Sequence, residues 1–152
     1  MGTRSTIAME LQDGTVKQVY CHWDGYLSHN GQILFDNYSD QAKLQELISL
    51  GDISSLRPEI GTKHPFGALE AGLGLKEYYD LYDHMTTFYG RDRDETGIEP
   101  KSFSSFEDYK NNMDSQEYDY IMRKDGMWYV GFYLGFMTLE EAFVKSKEEE
   151  DA

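Results

Sequence analysis

The string Cys21-His22-Trp23-Asp24-Gly25-Tyr26 places a thiol, an imidazole and a carboxylate within four positions. A Cys–His pair can supply a nucleophile and its base. Residues 16–22 alternate Val19 and Cys21 against Gln18 and Tyr20, which reads as a strand. Successive strand side chains point to opposite faces, so Cys21 and His22 are separated while His22 and Asp24 share a face. The string therefore fits a buried cysteine beside a structural His–Asp pair. The chemically active alternative is a ligand contacted by His22, Asp24 and Tyr26.

Basic groups that could hold an anionic part of such a ligand are few. Gly61-Thr62-Lys63-His64-Pro65-Phe66 is a glycine-flanked basic patch, and Arg4, Arg91 and Arg93 are the other candidates. Backbone amides with Lys63 and His64 can cradle an anion, but the order of a P-loop is absent. Acids flanking Arg91 and Arg93 favour a solvated loop there. His22, His29, His64 and His84 are each isolated, without Cys-x-x-Cys or His-x-x-x-His spacing, and no EF-hand loop is present. The reading is no metal, no cofactor and no catalytic residue.

The strongest global signal is charge. Twenty-eight acids face fourteen Lys and Arg residues, for a net charge of −14 spread along the whole chain. Such a field repels nucleic acid and anionic membranes and attracts basic surfaces. Asp80, Asp83, Asp92, Asp94, Glu95 and Glu99 fall on or after the longest helical pattern, and Glu107 and Asp108 follow. Carboxylates gathered into a ridge can imitate a phosphate backbone and occupy a nucleic-acid-binding groove of another protein. The bland alternative is a solubilising surface.

The chain length suits a single domain over residues 1–145, with residues 146–152 as an acidic flexible tail. The lone Cys21 fits a reducing compartment. Thr3, Arg4, Ser5 and Thr6 interrupt any secretory signal, and no apolar run approaches the ~20 residues that span a bilayer. Met1-Gly2 with Thr6 matches a myristoylation pattern only formally, because the segment reads as a strand.

Residues 3–22 read as a β-hairpin turning at Asp13-Gly14. Residues 32–38 form a short helix, and Ser39-Asp40 caps a second helix closed by Gly51. Residues 52–74 read as irregular. Leu75, Tyr78, Tyr82, Met85 and Tyr89 fall near helical spacing and predict a helix over 75–89. A charged loop over 90–100 follows, then a helix capped by Ser105 and a hairpin over 118–136 whose last strand is apolar on both faces. Thr138 with Glu141 is a capping box for the final helix. The fold class is α+β: N- and C-terminal hairpins forming an antiparallel sheet, with helices packed against one face.

Several strings together are similar to known proteins: Met1-Gly2-Thr3-Arg4-Ser5-Thr6-Ile7-Ala8, Val19 through Tyr26, Ile60-Gly61-Thr62-Lys63-His64 and Phe88-Tyr89-Gly90-Arg91-Asp92-Arg93. The chain resembles a family of small acidic proteins encoded by tailed bacteriophages. The resemblance implies a phage protein acting in the host bacterial cytoplasm, and it brings no catalytic residues with it. Small acidic phage proteins often inhibit host machinery or defence. The first expectation is therefore an inhibitor that docks on a basic, nucleic-acid-handling surface of a host protein. Its partner would be a nuclease, CRISPR effector, restriction or repair enzyme, or RNA polymerase. The second is a small-ligand or nucleotide-binding protein or enzyme using His22, Asp24 and Tyr26 with Arg4 or Lys63. A third is a homo-oligomer joined through the aromatic last strand.

Overall fold

The structure, a computed structural model, describes residues 3–132 and 135–151. Met1, Gly2, Tyr133, Leu134 and Ala152, and with them part of the formal myristoylation pattern and of the last expected strand, lie outside the described residues. Alternating patterns produce β1 (Ser5–Glu10) and β2 (Val16–Cys21), paired antiparallel as expected. A π-helical turn over Leu27–Gly31 runs into α1 (Gln32–Asn37). The carboxylate of Asp40 accepts from Ala42 N at 2.8 Å and starts α2 (Gln41–Ser49). Next come β3 (Ile53–Ser55), α3 (Ala68–Ala71), α4 (Leu75–Tyr82), β4 (Thr87–Phe88), α5 (Tyr89–Arg93) and β5 (Lys101–Phe103). The chain continues through α6 (Phe106–Asn112), β6 (Tyr118–Met122), β7 (Trp128–Phe132), β8 (Gly135–Thr138) and α7 (Leu139–Asp151).

The fold class is α+β, and its strands join one eight-stranded sheet in the order β4-β3-β2-β1-β6-β7-β8, with β5 also on β2. The sheet is mixed rather than antiparallel throughout. Each hairpin is antiparallel, but β1 pairs β6 in parallel, Ser5 opposite Tyr118, and β2 meets β3 in parallel at Cys21 and Ile53. The long excursion between β2 and β6 allows this, because a crossover connection can return the chain in either direction. β1 is buried along its whole length, which makes it the central strand.

Helices cover both faces, not one. Ile7, Val19, Cys21, Tyr120 and Val130 pack against Leu34, Leu44, Leu47 and Leu139 from α1, α2 and α7. Ala8, Val16 and Ile121 on the opposite face pack against Tyr109 of α6, with Phe103, Phe106 and Phe136 around it. The period-2 alternation thus serves two cores. The residues expected to form a tail from 146 continue α7 to Asp151. The aromatic last strand is divided into β7 and β8, and Trp128 and Val130 are committed to the core.

Gly51 closes α2 at a φ of +87°, and a Cβ there would lie 2.4 Å from Ile98 O. That carbonyl is pinned by Asp52 N at 2.9 Å. Gly51→Ala is expected to lower stability by about 1–3 kcal/mol, read from the urea midpoint. An unchanged midpoint would mean that the backbone at Ile98 gives way freely.

Candidate functional site

The Cys21–Tyr26 string divides its chemistry between the two faces. Cys21 is fully enclosed on the α1–α2 side, and burial pushes its thiol up to about 11. It therefore stays protonated near neutrality, which removes it as a nucleophile. His22 leaves on the other face, where Nδ1 meets the Tyr20 hydroxyl at 2.7 Å, and its ring meets Trp23 edge-on. The hydrogen bond of His22 thus goes to Tyr20 rather than to Asp24. Asp24 adopts a φ of +57°, a left-handed conformation that Asp tolerates better than most residues. Gly25 follows at a close backbone approach: its N–H donates to Thr3 O at 2.7 Å, and a Cβ would strike Ser5 at 2.7 Å. Its own carbonyl accepts from the Tyr120 hydroxyl at 2.6 Å. Tyr26 is exposed and packs its ring edge-on against His29.

Behind this string lies a directed chain of hydrogen bonds. The fully buried Asn30 donates through Nδ2 to Ser5 Oγ, Cys21 Sγ and Trp23 O at 3.2, 3.3 and 3.1 Å. Those partners fix its Oδ1 as the acceptor for His29 Nδ1 at 2.9 Å. His29 then carries its proton on Nδ1 and presents the Nε2 lone pair to Arg57 Nη1 at 3.2 Å. Asn30 and His29 together thus hold the Arg57 guanidinium in place.

Arg57 lines a cleft of about 330 Å³ beside β3, together with Trp23, Asp24, Ser54 and Ser55. Tyr78, Tyr79 and Tyr82 from α4 and Phe66 add aromatic walls, and Asp83 after α4 adds a carboxylate. Tyr78 is anchored through its hydroxyl to Pro65 O at 2.7 Å. His64 is buried behind this wall, stacked on Tyr82, with Nδ1 against Thr62 O and Nε2 against Thr87 Oγ1.

Of the six residues expected around a ligand, Asp24 alone lines the cleft. Arg4 is exposed at the start of β1, its N–H donating to Glu117 Oε1. Lys63 is exposed and pairs with Asp94 at 3.4 Å. His22 turns to Tyr20, Tyr26 to His29, and His64 to the interior. Sequence reasoning missed Arg57, Ser54, Ser55 and the Asn30–His29 pair. Arg57 stands between Leu56 and Pro58 with no flanking pattern to mark it.

The acidic positions also separate. Asp92 belongs to the interior, not the surface: its side chain accepts from His64 N, Phe88 N and Arg91, at distances of 2.8–3.1 Å. Asp80 pairs with Lys76, Asp94 with Lys63, Glu95 with Arg93 and Glu107 with Lys110. Asp108 is engaged at the start of α6, accepting from Ser104 N at 2.8 Å. Asp83 is exposed at the end of α4, and Glu99 lines a second, polar cleft with Asp52 and Lys101. Asp92 therefore leaves the surface set, and the other seven positions are spread over the end of α4, the segment after α5 and the start of α6.

Under that second cleft, Asp119 accepts from Thr6 Oγ1 at 2.7 Å and from Gln116 N at 3.1 Å. Burial nevertheless holds its carboxyl above the usual carboxylate range, outweighing those bonds and that of Ser115. A carboxyl whose folded-state pKa is raised favours folding while protonated. Its cost appears as pH rises above the ordinary Asp range and grows until the pH passes the raised folded-state value. Asp119→Asn keeps the acceptor and removes the buried charge. The variant is expected to be at least as stable as the parent at pH 7, with its advantage shrinking towards pH 4 in urea titrations. A variant clearly weaker at pH 7 would show that the carboxylate itself is favoured there.

Among the described residues no group of three or more His, Cys, Asp or Glu is arranged to hold a metal ion, and no helix is long and apolar enough to cross a membrane. Comparisons with protein-family models, with curated proteins and with solved structures return no match.

Proposed function

We propose that the chain is an acidic inhibitor of the kind tailed phages encode, acting in the host bacterial cytoplasm by docking on a basic, nucleic-acid-handling surface of a host protein. The observation that carries this reading is the outer surface of α3 and α4. Leu69 on α3 is 95% exposed, and Leu75, Tyr79 and Leu81 on α4 are exposed as well. Glu70, Glu77, Asp80 and Asp83 are interleaved with them. α3 has no buried residue, and α4 commits Tyr78 alone to the interior. Large exposed apolar residues interspersed with charge on two neighbouring helices suit a protein interface. Aromatic and leucine anchors supply affinity at such a face, while the carboxylates steer and select a cationic partner.

The partner classes this suits are a nuclease, a CRISPR effector, a restriction or repair enzyme, and RNA polymerase. All present basic grooves. The test uses immobilised full-length chain and bacterial lysate, washed at low and high salt, beside a Leu75→Ser/Tyr79→Ala bait. A nucleic-acid enzyme retained at low salt, released at high salt, lost from the variant bait and inhibited by the free chain supports the reading. Retention that is indifferent to salt, or equal on both baits, overturns it.

A further inference from the structure

The cleft lies between the Trp23–Asp24 turn, β3 and α4. Its walls are aromatic and partly open: Trp23 and Tyr79 are both exposed at its mouth. The charged residues of its lining are two carboxylates, Asp24 and Asp83, and one guanidinium, Arg57. The lining is therefore net negative, and it sits in a molecule of net charge −14. Both fields oppose a phosphate and favour a cation. Ring faces add to this, since a guanidinium or ammonium over Trp or Tyr is attracted by the ring quadrupole. The volume of about 330 Å³ is at the lower end of small-ligand sites and takes one long side chain with its adjoining backbone.

We propose that this cleft takes an arginine side chain from an extended segment of the basic partner, stacked on Trp23 or Tyr79 and paired with Asp24 and Asp83. The inference rests on the docking reading and gives it a specific contact. Arginine is favoured over lysine because a planar guanidinium can stack on a ring and meet a carboxylate through two parallel bonds. Arg57 completes the site rather than opposing it. Its contact with His29 Nε2 holds it at the wall, and its remaining donors suit backbone carbonyl oxygens of the incoming segment.

The experiment is a titration of the full chain with acetylated, amidated Gly-Arg-Gly, followed by amide and indole NMR shifts. The lysine counterpart and adenosine monophosphate are run in parallel. Saturable shifts centred on Trp23, Asp24, Arg57, Tyr79 and Asp83 are expected, weaker for lysine and absent for the nucleotide. Asp24→Asn/Asp83→Asn should weaken the arginine peptide at least tenfold. Asn is well tolerated at the positive φ of position 24, and position 83 is exposed, so the variant should keep its fold and its unperturbed spectrum elsewhere. Preferential binding of the nucleotide, shifts scattered over the acidic surface, or an unaffected double variant each overturn the proposal. If the cleft stays silent while salt-dependent capture of a basic partner persists, the arginine site fails and docking stands. Loss of that capture as well removes the docking reading itself.

Discussion

Asp92→Ala is expected to lower folding stability by about 3–5 kcal/mol, the cost of leaving a buried charge without its partner. Asp92 Oδ1 accepts from His64 N and from Arg91 Nε, and Oδ2 accepts from Phe88 N and Arg91 Nη2. Arg91 spends its other donors on Ile60 O, Gly61 O and Thr86 O. All the donors of one guanidinium are thus used to tie residues 60–64 to 86–92, and its carbon also lies 4.6 Å over the Phe88 ring. Truncation strands a guanidinium and two backbone N–H groups at once. Asp92→Asn should fall between the parent and the alanine variant, because it keeps one acceptor but turns an amide towards these donors. Urea unfolding measures both. An alanine variant within about 1 kcal/mol of the parent would mean that water satisfies the group after local opening.

The same clamp shows what the sequence could not reveal. Arg91 and Asp92 lie among alternating charges, a pattern that ordinarily means a solvated loop. Nothing local says that this pair is enclosed while Arg93, Asp94 and Glu95 remain outside. Burial there is decided by the carbonyls of residues 60, 61 and 86, which sequence reading cannot place beside it. The helix expected over 75–89 fails for a related reason. Its apolar spacing continues through Met85 and Tyr89, but α4 ends at Tyr82. Thr86 instead accepts from Arg57 N at 3.0 Å and Thr87 pairs with Ser55. Bonds to a segment some thirty positions away outweigh a helical pattern of modest propensity.

Features whose cause is local were readable. Asp40, Ser105 and Thr138 each cap the helix that follows, with Ser105 Oγ accepting from Asp108 N at 3.0 Å and Thr138 Oγ1 from Glu141 N at 3.2 Å. The two hairpins follow from alternation and turn chemistry. Their joining in parallel does not, because strand direction across a long crossover leaves no mark in either strand. The separation of Cys21 from His22 was likewise readable from strand period. The cleft was not: Trp23, Ser55, Arg57 and Tyr79 come from a turn, a three-residue strand, a loop and a helix.

Asn30→Asp is expected to cost about 2–4 kcal/mol at neutral pH, although it changes one atom's identity. The Nδ2 of Asn30 is hydrogen-bonded to the Trp23 carbonyl, the Ser5 hydroxyl and the Cys21 sulfur. An oxygen in its place turns one of these contacts into carbonyl facing carboxylate, in a fully buried position. Burial favours the neutral acid, so the introduced carboxyl should be protonated more readily in the folded state. Its cost should therefore shrink as pH falls towards 4, whereas Asn30→Ala, which strands the same groups without adding charge, should show no such recovery. Unfolding of the three proteins at pH 7 and pH 4 separates the two causes. The substitution also perturbs the link through His29 to Arg57, so spectroscopic signals of Arg57 and the cleft should move even at pH 4, where the fold has recovered. Parallel losses for both variants at the two pH values would show that shape at position 30, rather than donor direction, holds the Cys21–Tyr26 turn in place.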